Sequence, residues 1–347
     1  MKVYIVIYIL TVTTISCIIG SSSSSSSLCP DPIELYPCQC SGNESTNGIE
    51  ITCAGDGIGR HELIQIGRHL RPMSVQIRKL NIRSTRVNRI DNHTFADGFY
   101  EEIRFINNRY LGHIEALAFG KSTTVRNLQI VWSEKLDERL FGFIGQLNIL
   151  DTLAITGTAI RQIPKNALQA PLRRLQLSHN QLNRLVSQTF SQLPKLRELD
   201  LSYNPITMID DHSLNIVGNN MSKVIKLNNL RYNGTTFGRY FLPQYTNHKV
   251  LIQMENNGEL KTLVESAWKP FLEERDHRVT FTNTTYRCKC DDLWLAERPV
   301  SGQVFGLTCK SVCLSIGVLC VDKSIADVTA AELSCGRKSA SSSKSNK

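Results

Sequence analysis

Two nine-residue segments, Leu172–Asn180 and Leu196–Asn204, set the rhythm of the chain. Each places leucine at positions 1, 4 and 6 and asparagine at position 9, and the second follows the first in phase. Beyond each asparagine an apolar residue returns at +2 and +5: Leu182 and Leu185, then Ile206 and Ile209. The same pattern, carried by other apolar residues, starts at Ile77, Tyr100, Val125 and Leu150, so a copy recurs roughly every two dozen residues. Position 9 in these copies is Thr85, Asn108, Ser133 and Thr158. A large apolar residue recurs on the way to each next start: Phe95, Phe119, Leu140, Leu168, Phe190 and Leu214. Alternation within each copy predicts a short strand with positions 4 and 6 on one face and positions 3, 5 and 7 on the other. After Asn204 the period stretches, and evenly spaced strands are predicted at Ile225–Leu227, Ile252–Met254 and Val279–Phe281. The aromatic and polar insert Tyr232–His248 reads as a loop that lengthens one repeat, with a functional loop as the alternative.

One such unit cannot bury its own leucines, so several must stack with their strands side by side. Position 9 falls where the chain leaves the strand. An asparagine amide there can bond the edges of adjacent turns, which Thr and Ser do less completely. Tandem, in-phase copies at this spacing are the leucine-rich repeat signature. The predicted fold is an α/β-type leucine-rich repeat solenoid, a curved horseshoe with a parallel sheet on its concave face. Irregular or short helical segments form the convex face, and a disulfide cap closes each end. Such an array overrides the two-domain prior of a 347-residue chain. The boundaries read as a signal peptide at 1–20, a Ser-rich linker at 21–28 and an N-terminal cap with entry to the first repeat at 29–74. Repeats at 75–285, a C-terminal cap at 286–335 and a disordered Ser/Lys tail at 336–347 complete the chain.

The leader runs apolar from Val3 to Ile19 behind a single basic residue, Lys2, and ends in Gly20 and a serine run. It reads as a secretory signal cleaved near Gly20. A retained anchor is the alternative, disfavoured by a span at the short edge of membrane thickness and by Thr11, Thr13, Thr14 and Ser16. No later stretch is long and apolar enough to span a bilayer, so no stable membrane insertion is expected after cleavage. Of eleven cysteines, Cys17 falls in the leader and ten remain, an even number suited to an oxidising compartment. Cys29, Cys38, Cys40 and Cys53 lie at the front and Cys288, Cys290, Cys309, Cys313, Cys320 and Cys335 at the back. The long stretch from Ala54 to Arg287 has none. Disulfides are preferred over zinc for the Cys-x-Cys pairs on the same ground. Asn43, Asn92, Asn220, Asn233 and Asn283 head glycosylation sequons. Of the +9 net charge, four positive charges lie in the tail after Cys335 and one in the leader. What is left on the folded part is too little to argue for nucleic acid.

Cys29-Pro30-Asp31-Pro32, Pro37-Cys38-Gln39-Cys40 and Cys53 resemble the cysteine-rich N-terminal flank of extracellular leucine-rich repeat proteins. Cys288-Lys289-Cys290-Asp291-Asp292-Leu293-Trp294-Leu295 resembles their C-terminal flank. Together with Ser266-Ala267-Trp268-Lys269-Pro270-Phe271-Leu272, these segments are similar to a group of secreted arthropod proteins related to the non-catalytic subunit of Oplophorus-luciferin 2-monooxygenase. The likeness covers nearly all of the mature chain. It implies the pairs Cys29–Cys40, Cys38–Cys53, Cys288–Cys309 and Cys290–Cys335. That group has four rear cysteines, so Cys313 and Cys320 are additional here and would pair with each other; six cysteines allow 15 pairings. No activity comes with the resemblance, because the subunit it refers to is the partner of a catalyst.

No catalytic constellation emerges from the residues. The eight histidines form no metal-ligand pattern such as His-Glu-x-x-His, and no Gly-x-Ser-x-Gly elbow or phosphate loop is present. Gly55-Asp56-Gly57-Ile58-Gly59 lacks the full dinucleotide fingerprint and reads as a turn between cap and first repeat. Asp210-Asp211 and Asp291-Asp292 read as turn or helix-start residues. No catalytic, cofactor or metal role is therefore assigned. What the architecture offers is surface. Positions 5 and 7 bring Arg83, Arg104, Ile106 and Val131 onto the front of the concave face, with Trp132 at their border, as candidate contacts for a protein ligand. The alternative for Trp132 is that it folds into the turn. The preferred reading is a secreted, non-enzymatic protein-binding module. The alternatives are an accessory subunit stabilising a secreted enzyme, a structural matrix or cuticle protein, and innate-immune pattern recognition, with homo-oligomerisation left open.

Overall fold

Leu153, Leu175 and Leu199 stand opposite one another on three successive parallel strands. The computed structural model describes residues 28–42, 48–71, 76–120, 124–216, 218, 222–230, 236–242, 248–260, 263–274, 276–297, 300–313, 320–329 and 332. Residues 1–27 and 333–347, where the leader, most of the serine linker and the Ser/Lys tail are expected, lie outside them. One sheet runs the length of the array through Ile49–Ala54, Ile77–Arg83, Tyr100–Ile106, Asn127–Val131, Thr152–Thr156, Arg174–Gln176 and Glu198–Asp200. It continues through Lys223–Lys226, Val250–Gln253, Arg278–Tyr286 and Val304–Cys313, every step parallel. The stretched rear period keeps the register, with Ile225, Ile252 and Val279 opposite one another. An antiparallel strand closes each end, Gln39–Ser41 on the front strand and Cys320–Ser324 on the rear one.

The core lies between this sheet and the returning outer segments. Positions 1, 4 and 6 of every early repeat are buried, as are the outer residues Phe95, Phe119, Leu140, Leu168, Phe190 and Leu214. Phe119 stacks on Phe95 at 4.9 Å and lies tilted against Phe143 at 5.6 Å, with Tyr100 edge-on at 5.3 Å. Each fully buried large side chain contributes on the order of 1.5–3 kcal/mol. The apolar residues at +5 sit in small outer ladders: Arg184–Leu185, Met208–Ile209 and Thr236–Phe237 pair in parallel. Residues 236–242 of the insert therefore form the outer return of a lengthened repeat, with Phe241 and Leu242 buried. Phe237 and Phe241 pack on Trp268 of the helix Glu265–Leu272 at 5.4 and 5.0 Å, which seals the rear core.

Position 9 ties the rungs together. Asn108, Asn180, Asn204 and Asn257 each donate to the position-6 carbonyl of the preceding repeat: Ile82, Ile155, Leu177 and Leu227, at 2.7–2.8 Å. Each side-chain oxygen accepts a backbone N–H from that same preceding repeat: Thr85, Thr158, Leu182 and Leu230. Thr284 continues the column by donating to the Met254 carbonyl at 2.8 Å. Because these turns are bonded through a neighbour's side chain, the ladder couples adjacent repeats as well as closing each one.

The front is covered by the helix Arg60–Leu70, which buries Leu63, Ile66 and Leu70 and begins where Glu62 accepts the Gly59 N–H at 2.9 Å. Gly55–Gly59 is thus a turn into this helix, with Ile58 buried. Cys29 is bonded to Cys40 and Cys38 to Cys53. At the rear Cys288 is bonded to Cys309, and Cys290 is also in a disulfide. Cys335 lies outside the described residues. The backbones of Cys313 and Cys320 face each other across the terminal antiparallel pair.

Candidate functional site

Positions 3, 5 and 7 build the open face of the sheet, and register decides which side chains meet. Arg83, Ile106, Val131 and Thr156 form one row across four strands. Ile106 and Val131 are half-buried neighbours, and Arg83 is exposed and makes no ion pair among the described residues. Arg104 is held differently. Its Nε donates to Glu102 at 2.5 Å, and the same carboxylate oxygen accepts the Gln129 amide at 3.2 Å. Its charge is therefore already neutralised within the strand. Further forward Glu50 takes both Arg78 and Lys79. Thr156, Ser178 and Ser202, expected on the open face, are buried. These short side chains lie below their neighbours, Ser178 accepting from Gln176 and Ser202 from the Asn228 N–H, both at 3.2 Å.

Toward the rear, Glu198 receives Lys226 at 2.5 Å with Arg174 at 3.9 Å, and the bond to Glu198 raises the Lys226 pKa. Asp200 accepts the Ser202 N–H at 2.9 Å. Beyond them Arg278 lies over the ring of Phe305, which is 44% exposed opposite Thr280. Phe305 was invisible to sequence reasoning because its strand falls within the rear flank, where no repeat was recognisable. Asn257 was missed too, although Ile252-x-Met254-x-x-Asn257 matches positions 4, 6 and 9. Leu230, at position 9 of the repeat before it, breaks the run.

The edge of the sheet where the strands end has a character of its own. Position 8 adopts a left-handed backbone at nine rungs: Ser84, Asn107, Trp132, Gly157, His179, Tyr203, Asn229, Asn256 and Asn283 all have φ between 51° and 66°. Its side chains form a second ladder. Asn107 donates to Ser84 at 3.3 Å and Asn283 to Asn256 at 3.0 Å. Between them stands an aromatic run. The Trp132 indole lies against Gly157, where a Cβ would come within 2.3 Å of the ring, and its centre is 5.7 Å from His179. His179 stacks on Tyr203 at 4.0 Å. Trp132 and Tyr203 each remain 49% exposed. The five candidate contacts thus divide: Arg83, Ile106 and Val131 share a row, Arg104 is tied to Glu102, and Trp132 belongs to the edge with its ring turned rearward.

Several other polar groups serve the scaffold. Asp210 pairs with Arg184 at 2.8 Å, and Asp211 accepts the Tyr240 N–H at 3.1 Å. Asp292 accepts the Tyr286 hydroxyl and the Lys289 N–H, both at 2.7 Å, and burial first, then this bond, pushes the Tyr286 pKa up. The buried Lys223 donates to the Leu196 carbonyl at 3.0 Å, and burial lowers its pKa. Among the described residues no cluster of His, Cys, Asp and Glu could hold a metal, and no helix is long and apolar enough to cross a membrane. Of the sequons, Asn92 is exposed and accepts the Leu117 N–H, Asn283 lies on the position-8 ladder, and Asn43, Asn220 and Asn233 lie outside the described residues.

Family models described as leucine rich repeat match residues 148–206 and 195–219. No curated protein matches the chain in sequence. Among solved structures, the chain is similar to one in an octameric complex of latrophilin 3, Unc5D and FLRT2, the last carrying the leucine-rich repeats. The identity is 14%, the TM-score 0.45, and the match covers 70% of this chain and 79% of that one. The repeat models and the continuous parallel sheet make the fold a leucine-rich repeat solenoid.

Proposed function

We propose that the chain is a secreted, non-enzymatic binding module that takes a protein partner on the front half of its concave sheet. The observation that carries this reading is the row Arg83, Ile106, Val131, two apolar side chains in register beside a cation with no ion-pair partner among the described residues. An aliphatic pair flanked by an arginine is the composition of an interface anchor, and the paired charges around it would form a polar rim. A leader at 1–20, caps at 29–74 and 286–335, and disulfide bonds at both ends support placement outside the cell. The likeness of the flanks and of Ser266–Leu272 to the arthropod group supports a partner that is itself a secreted protein, an enzyme among them. Arg104 would contribute by leaving Glu102 on binding, and Trp132 by bordering the patch.

The test is affinity capture from native extracellular extract with the full chain as bait. A specific protein should be retained by wild type and lost with Val131→Asp or Arg83→Glu, with circular dichroism unchanged. Retention of that partner by both variants would refute the patch, and dimers growing with concentration in sedimentation, with nothing else captured, would favour self-association instead.

A further inference from the structure

A polar cleft of about 270 Å³ opens at the front of the strand-end edge, lined by Gly55, Asp56, Ser84, Asn107, Arg109 and Tyr110. It exists because of the size profile of the position-8 column. The first three rungs carry Gly55, Ser84 and Asn107, and the next carries Trp132. Small side chains at three successive turns leave a hollow, which Asp56 and the turn Arg109–Tyr110 border.

The chemistry of the lining is specific. Asp56 and Arg109 are both exposed, and neither has an ion-pair or hydrogen-bond partner among the described residues. Ser84 and Asn107 bond each other, which leaves the serine proton free to donate and the amide oxygen free to accept. Tyr110 is 42% exposed, with Lys135 5.5 Å from its ring centre. A carboxylate that accepts, a guanidinium that donates in a fork, a hydroxyl, an amide and an aromatic ring suit a ligand with vicinal hydroxyls and an apolar C–H face. The opposite charges offset one another, which favours a neutral ligand. The hollow is near the small end of ligand sites, roughly 300–1,000 Å³. Its lining is too polar for a lipid or a flat apolar ring.

We propose that this cleft binds the end of a neutral oligosaccharide. Asp56 and Arg109 grip adjacent hydroxyls of the terminal sugar, Tyr110 takes its C–H face, and the chain continues along the edge to Trp132. Rungs about 4.8 Å apart match the advance of an extended sugar chain by about one unit per repeat. The site shares only Trp132 with the protein-binding patch, so Asp56 and Arg109 test it separately.

The experiment uses the full chain with its disulfides formed and measures saturation-transfer NMR and calorimetry. The probes are neutral hexose and N-acetylhexosamine trisaccharides, the corresponding monosaccharides, uronic-acid trisaccharides and free amino acids. Neutral saccharides should bind. Asp56→Asn and Arg109→Ala should each weaken binding about tenfold, as expected for loss of charge-assisted bonds. Neither side chain has a partner to lose among the described residues, and thermal melts should match wild type. Trp132→Ala should weaken the trisaccharide several-fold and leave the monosaccharide unchanged. The proposal is overturned if no neutral saccharide binds at about 10 mM, if binding survives both Asp56→Asn and Arg109→Ala, or if uronic acids or amino acids bind in preference.

Discussion

Replacing Asn180 with alanine removes one of the bonds between rungs and leaves the leucines untouched. The side chain is 5% exposed and uses its full capacity. It accepts the Thr158 N–H at 3.0 Å and hydroxyl at 2.7 Å, and donates to the carbonyls of Ile155 at 2.7 Å and Leu177 at 2.8 Å. Leu177 keeps a second donor, Asn204, at 2.8 Å. Asn180→Ala therefore strips a side-chain partner from two buried backbone groups, Thr158 N–H and Ile155 C=O. A buried polar group left unpaired costs about 1–3 kcal/mol, so the loss should be about 2–6 kcal/mol, a large share of a stability that is typically about 5–15 kcal/mol. Ser133 is the control, since it fills the same position with a buried hydroxyl that has no partner among the described residues. Ser133→Ala should change stability by less than about 1 kcal/mol. Equilibrium urea unfolding followed by far-UV circular dichroism gives the magnitudes, and native-state hydrogen exchange should show protection lost first in the rungs spanning 150–195. An Asn180→Ala variant within about 1 kcal/mol of wild type, or one no worse than Ser133→Ala, would refute the coupling.

Breaking the front staple with Cys38→Ala and Cys53→Ala should lower stability by about 2–5 kcal/mol, with proteolysis starting before Gly59; unchanged melting would contradict a stabilising cap. Gly157→Ala should lift the Trp132 indole off the backbone and raise acrylamide quenching, a clean readout because Trp268 and Trp294 are buried; quenching equal to wild type would show that the ring does not rest there. Tyr286→Phe should lower rear-cap stability by about 1–3 kcal/mol, because the buried Asp292 loses the hydroxyl that donates to it, and a melt identical to wild type would exclude the role. Lys323 first, then the N–H and hydroxyl of Thr329, hold Glu332 down to a pKa of about 2. A depressed carboxylate stabilises above its ordinary pKa and loses that contribution as pH falls through the folded value. Glu332→Gln should therefore be more protease-sensitive than wild type at its C-terminal flank at pH 6, and the gap should close between about pH 4.5 and 2; a gap independent of pH would count against the ion pair.

The repeats between Ile77 and Ile209 were legible because burial on one strand face admits only apolar residues at positions 4 and 6, and because position 9 must satisfy a turn. Both demands leave a period in the sequence. The rear was legible in its strands, since Ile225, Ile252 and Val279 keep the register, but not in its turns, where Leu230 occupies the position-9 column. The front candidates were found by counting to positions 5 and 7, and register brings the position-7 residues Arg83, Ile106 and Val131 together accordingly. Counting could not foresee that Arg104 would be held by Glu102, because a side chain two residues along the same strand competes with solvent and any ligand for the guanidinium. Nor could it place Phe305, whose strand joins the sheet within a flank that carries no repeat.

The position-8 column shows where such a fold has freedom. Every repeat needs a left-handed residue as the chain leaves the strand, and glycine and asparagine meet that need with least strain. Gly157, Asn107, Asn229, Asn256 and Asn283 follow this rule. Trp132 and Tyr203 do not, because a bulky side chain at positive φ is disfavoured by sterics. The scaffold has no packing demand for rings at this edge, since both remain half exposed. Their contacts, indole on Gly157 and Tyr203 on His179, offset part of the strain. Strained residues that fill no core tend to sit at sites of function. The strand-end edge, where a hollow made by small position-8 residues gives way to an aromatic run made by large ones, is therefore the part of the surface whose composition the fold itself does not explain.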